Sequence, residues 1–132
     1  MLYKRIALGI VFIWFAVGGS GHFIAPDFFI KIIPPDLPWR MPAVYISGFF
    51  ELAGALGLIF YRTRRMAGVG LLVLTIVVTP ANVYMWRNAA LFPMVSETLL
   101  AFRLILQIGL LACIWWGSSL TPRNKARSRS VK

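Results

Sequence analysis

Four apolar runs, set apart by short polar and proline-bearing segments, give the chain its pattern. They predict helices over about residues 4–21, 43–61, 65–86 and 98–117. Each is close to the roughly 20 residues a helix needs to cross a bilayer. The first run, "IALGIVFIWFAVGGSG" behind "MLYKR", also has the outline of a signal peptide. It is long for one, contains Trp14, and no clear A-x-A site follows, so it is read as a retained first membrane helix. The segment between the first two runs, "HFIAPDFFIKIIPPDLPWRMP", carries a shorter element. Pro26 and Asp27 suit a helix start and Pro34-Pro35 a stop, with "FFIKII" between them too short to cross. The expected fold is therefore all-α. A four-helix transmembrane bundle occupies residues 1–117, with a short interfacial helix in the first external loop. Residues 118–132, "SSLTPRNKARSRSVK" from Ser118 on, read as a basic, disordered cytoplasmic tail.

Helical periodicity gives each run one distinctive face. Val11, Phe15, Gly18 and His22 align in the first run, and Ser47, Glu51 and Gly54 in the second, flanked by Gly48 and Ala55. Gly68, Thr75, Thr79 and Asn82 align in the third, and Arg103, Gln107 and Leu110 in the fourth. Three of these faces carry small residues, which let helices approach closely. Lipid cannot satisfy the polar groups, so these faces are expected to turn toward one another.

Composition agrees with a membrane class. The chain of 132 residues is 59% hydrophobic and only 14% charged, against about a quarter charged in soluble domains. Fourteen basic residues oppose four acidic ones, a net charge of +10. A nucleic-acid binder gathers such charge on one face or groove. Here the cations fall in clusters between apolar runs, so no nucleic-acid partner is expected. Lys4 and Arg5, then Arg62, Arg64 and Arg65, then the tail from Arg123 to Lys132 mark one side of the membrane. The remaining loops hold Lys31, Arg40 and Arg87 against Asp27, Asp36 and Glu97. By the excess of Lys and Arg on the inner side, both termini are expected in the cytoplasm. Trp39, Tyr45 and Trp86 suit the aromatic belt.

Depth then brings the candidate site together. At the helical rise, Asn82 lies about 6 Å below the outer boundary, Arg103 about 7.5 Å, Glu51 about 12 Å and Gln107 about 13 Å. His22 sits near the rim. The candidate ligand pocket is thus Glu51, Arg103, Asn82, His22, Gln107 and Ser47, in the outer half of the bundle. Glu51 and Arg103 are expected to form an ion pair, because the long arginine spans the gap of about 4.5 Å and each offsets the cost of burying the other. Pro80 adds a kink and a freed carbonyl near the same level. The blander readings are a structural clamp for Glu51 and Arg103, an interface residue for His22 and interhelical glue for Asn82.

Enzyme chemistry finds little support. The single cysteine, Cys113, lies in an apolar run and reads as a packing residue. There is one histidine, so a haem held by two histidines of this chain is excluded. No metal spacing, Gly-rich nucleotide loop or Ser/His/Asp arrangement is present, so no catalytic or metal residue is assigned.

"GHFIAPDFFIKIIPPDLP" (21–38), "SGFFELAGALGLIF" (47–60) and "TRRMAGVGLLVLTIVVTPANVYM" (63–85) together resemble the bacterial DoxX family of small four-helix membrane proteins. The resemblance covers nearly the whole chain except the tail. It implies a four-helix transmembrane bundle in the bacterial cytoplasmic (inner) membrane. The family takes its name from a thiosulfate:quinone oxidoreductase subunit. Other relatives are linked to membrane redox complexes, and distant animal relatives act as membrane-protein assembly chaperones. The expectation is an accessory or ligand-binding subunit, with quinone as the candidate cofactor. Its expected partners are the lipid bilayer and either another membrane protein or a second copy of the chain. The alternative is an assembly chaperone or partner-binding subunit. A stand-alone quinone-linked oxidoreductase or a transporter is less supported, since the lone cysteine departs from any dithiol role and four helices offer no inverted repeat.

Overall fold

A computed structural model describes residues 2–118. The tail expected to be disordered lies, from residue 119 on, outside the described residues. The architecture is all-helical, with α1 (Leu2–Ile24), α2 (Pro26–Ile32), α3 (Arg40–Ile59), α4 (Arg64–Arg87) and α5 (Glu97–Gly117). A single 3-10 turn, Ala89–Leu91, interrupts the link from α4 to α5. The four longer helices are each long and apolar enough to cross a membrane.

Local chemistry sets the ends. Pro26 occupies the first turn of α2, where a missing N–H costs nothing. The α3 carbonyls left without intrahelical partners are taken by the next turn of chain: the Thr63 hydroxyl donates to Gly57 O (2.9 Å) and Arg64 Nε to Leu58 O (2.9 Å). Ser96 caps α5 by accepting the Leu99 N–H, and Glu97 adds an acid to the first turn. Helix α1 runs three residues beyond the expected end, since Gly18 and Gly19 of "GGSG" lie against α3 and Gly21 against Phe29 of α2 rather than opening a loop. Helix α3 starts three residues early at Arg40, with Pro42 accommodated in its first turn.

The helices pack in the ring α1–α3–α4–α5, so α3 and α5 face each other diagonally. Neighbours run antiparallel: His22 meets Gly48 at one end of α1/α3, and Gly57 meets Ala67 at the far end of α3/α4. Helix α2 folds back over the end that holds His22, against α3 and α4. Arg40 clasps it there, donating from Nη2 to Ile30 O (2.6 Å) and Ile33 O (3.0 Å), with Nε buried and unpartnered.

Two apolar clusters fill the interior. Val11, Phe15, Ala55, Leu58, Leu71, Leu110 and Ile114 form the main one, and Ile32, Met85, Phe92 and Leu100 the one beneath α2. Cys113 packs against the first. The outer faces are apolar as well, with Ile13, Val17, Val77 and Ile108 all exposed. A helix apolar all round suits lipid rather than water. In lipid the helices gain little from hydrophobic burial against one another, so close contact must hold them. Gly48 shows how close: a Cβ there would stand 2.6 Å from His22 Cβ.

Candidate functional site

Between the four helices, at the α2 end, lies a cavity of about 720 Å³. Its walls are mostly apolar, from residues such as Phe15, Phe29, Ile32, Leu74 and Leu110. His22 enters from α1, Ser47 and Glu51 from α3, Asn82 from α4, and Arg103 and Gln107 from α5. All six sequence-predicted residues therefore line one space.

One network joins α1 to α3. His22 Nδ1 lies 2.8 Å from Val44 O and 3.0 Å from Ser47 Oγ, and the Ser47 hydroxyl donates to Val44 O at 3.0 Å. A carbonyl can only accept, so Nδ1 carries a proton. The other ring nitrogen, Nε2, stands 3.5 Å from Glu51 Oε1. Nε2 donates to that carboxylate when it carries a proton. Gly18 makes room for the acid: a Cβ there would come within 2.9 Å of Glu51 Oε2. The Phe29 ring of α2 covers the imidazole, with centroids 4.0 Å apart.

A second network ties α4 to α5. Asn82 Nδ2 donates to Gln107 Oε1 at 2.7 Å. Gln107 Nε2 donates to Thr75 O at 3.3 Å and to Thr79 Oγ1. The Thr79 hydroxyl donates in turn to Thr75 O at 2.8 Å, and Thr75 to Leu71 O at 2.7 Å. Both Gln107 protons and its oxygen are thus in use. Pro80 lacks the N–H that would bond the Ile76 carbonyl, one turn from this network.

Arg103 stands apart from both. Its one hydrogen bond among the described residues runs from Nη1 to Met85 Sδ at 3.6 Å. A thioether is a weak acceptor, and a guanidinium has five donors.

A family model described as a domain of unknown function (DUF8561) matches residues 8–118. The chain belongs to the DUF8561 family. No curated protein and no solved structure matches it. The matched span of the DUF8561 chain holds all six cavity residues and all but the first residues of α1.

The expected Glu51–Arg103 ion pair is corrected by the DUF8561 structure. Among the described residues the partner of Glu51 is His22, and no carboxylate lies within 4.0 Å of Arg103. The reason is the ring order: α3 meets α1 side by side but α5 only across the cavity. Sequence reasoning missed Phe29 and Met85 as neighbours of these polar groups. Thr75 and Thr79 lay on the predicted Asn82 face, so their signal was present. Met85, read only as part of "PANVYM", gave none.

Proposed function

We propose that this DUF8561 chain is a DoxX-like integral protein of the bacterial inner membrane that binds an amphipathic ligand, as an accessory or ligand-binding subunit. Both termini lie in the cytoplasm, and α2 rests in the outer interface over the mouth of the bundle. The observation that carries the reading is the convergence of six polar side chains, from four helices, on one apolar-walled cavity. Ligand sites are built this way, with few polar groups fixing orientation and apolar walls excluding water.

The donors suit a head group bearing acceptor oxygens. Arg103 offers most of its N–H groups, and Asn82 keeps one Nδ2 proton beyond the bond to Gln107. His22 and Glu51 face each other at the same cavity. A quinone head, with a carbonyl at each end of its ring, is one group of this kind. The DoxX resemblance, with relatives in quinone-linked complexes, points the same way. The family resemblance also leaves partner proteins in view, since an accessory subunit delivers its ligand to another chain.

The test is the content of the purified protein. Gentle extraction followed by lipid analysis is expected to recover an amphiphile in near-stoichiometric amount. Asn82→Leu and His22→Leu lower that amount. Protein recovered empty, beside a copurified membrane protein, would favour the partner-binding reading.

A further inference from the structure

We infer that the occupant of this cavity is an anionic single-chain amphiphile, its oxyanion held by Arg103 and its chain lying in the seam between α3 and α4. The inference rests on the ligand-binding reading above and names the ligand's class.

The head follows from charge. Arg103 is the one arginine or lysine among the cavity's lining residues, and Glu51, the one carboxylate there, faces His22 at 3.5 Å. No carboxylate stands within 4.0 Å of Arg103 among the described residues, and its one hydrogen-bond acceptor is a thioether. A cation inside an apolar enclosure is costly unless paired. Carboxylate and phosphate oxygens match the guanidinium fork and form its strongest hydrogen bonds.

The chain follows from continuity. The cavity reaches the bundle surface between α3 and α4, where Ile46, Phe50 and Val77 line it yet remain exposed. A second, apolar groove of about 780 Å³ begins at the same place, sharing Phe50, Leu74 and Val77 with the cavity. It continues along the seam to Phe60 and Met66. From Val77 to Met66 it spans about 16 Å at the helical rise. At Gly70 the groove is open, since a Cβ there would touch nothing within 4 Å. A charged pocket opening into an apolar trough of this length has the shape of a head group with one acyl chain.

Native mass spectrometry of the full chain in a non-ionic detergent tests the inference with three probes of equal chain length. Dodecanoate carries a carboxylate, dodecyl phosphate a phosphate and dodecanol a neutral head. Retention of at least one anionic probe about tenfold above dodecanol is expected, given the strength of hydrogen bonds to charged groups. Which anion is retained better assigns the head group. Arg103→Lys should keep the preference and Arg103→Met lose it. If Arg103→Met does not fold, the comparison on the unaltered chain still decides. Gly70→Phe, which the open space tolerates, should weaken binding of the anionic dodecyl probe several-fold while leaving hexanoate unchanged.

Equal retention of dodecanol and the anions would overturn the anionic head and leave the ligand-binding reading standing. Unchanged dodecyl binding in Gly70→Phe would overturn the placement of the chain. Failure of all three probes, and of a quinone, to bind would overturn both the inference and the reading beneath it.

Discussion

His22 Nε2 stands 3.5 Å from Glu51 Oε1, so the acid in the middle of α3 is answered by the histidine of α1. Arg103, the other candidate, lies across the cavity on α5. This exchange of partners changes what each residue is free to do. The acid and the imidazole form a closed unit between adjacent helices, while the guanidinium keeps its donors for something else.

A double-mutant cycle in detergent separates the two pairings. Glu51→Gln and His22→Leu each leave a buried group without its partner, a change that typically costs about 3 to 5 kcal/mol for buried charges. The double change is expected to cost less than the sum, with a coupling of about 0.5 to 3 kcal/mol. The cycle between Glu51→Gln and Arg103→Met should give a smaller coupling. A larger one would restore the arginine as the partner of the acid.

Helix contact gives a second expectation. Gly48→Ala sets a methyl 2.6 Å from His22 Cβ, which neither backbone can easily yield. Overpacking of this kind costs about 1 to 3 kcal/mol. Gly9→Ala and Gly109→Ala meet nothing within 4 Å. They should be neutral or stabilising by up to about 1 kcal/mol, as alanine favours the helix. Thermal unfolding of the three variants in one detergent checks the order.

The α4–α5 network predicts an asymmetry. Gln107 makes three hydrogen bonds and Asn82 one. Gln107→Leu should therefore lower stability more than Asn82→Leu, each unmet buried group costing about 1 to 3 kcal/mol. Equal losses would show that Asn82 has further partners in the cavity.

Topology is open to a direct check. Reporter fusions at Lys132 and near Asp36 should give opposite signals, with the Lys132 fusion cytoplasmic. Identical signals would contradict the three crossings, α3, α4 and α5, between them.

Much of this arrangement was legible in the sequence, for a physical reason. Periodicity reports which face of a helix is special, and the buried Val11, Phe15 and His22 of α1 fall on the face it marked. Rise per residue reports level along the axis, which is why six residues from four helices were expected together and line one cavity. Neither quantity reports which helix stands beside which. Glu51 and Arg103 were matched in depth, but their helices are diagonal. The ring order is decided by contacts such as Gly18 against Glu51 and Gly48 against His22. No single run of residues records these. Helix α2 was legible as a helix but not as a lid on the imidazole, because Phe29 reaches His22 only after the chain reverses at Ala25.

The clasp of Arg40 on α2 has a consequence for supply. Ile33, Pro34 and Leu37 beside it form part of the cavity wall, and Arg40 fastens the carbonyls of Ile30 and Ile33 to the start of α3. That side is a fixed cover. The gap with exposed apolar margins is the one between α3 and α4, which would open to hydrocarbon in a bilayer. On the proposed reading, a ligand bound at Arg103 arrives by sideways diffusion within a two-dimensional solvent. Its occupancy is set by its mole fraction among the lipids, and hardly at all by its concentration in water.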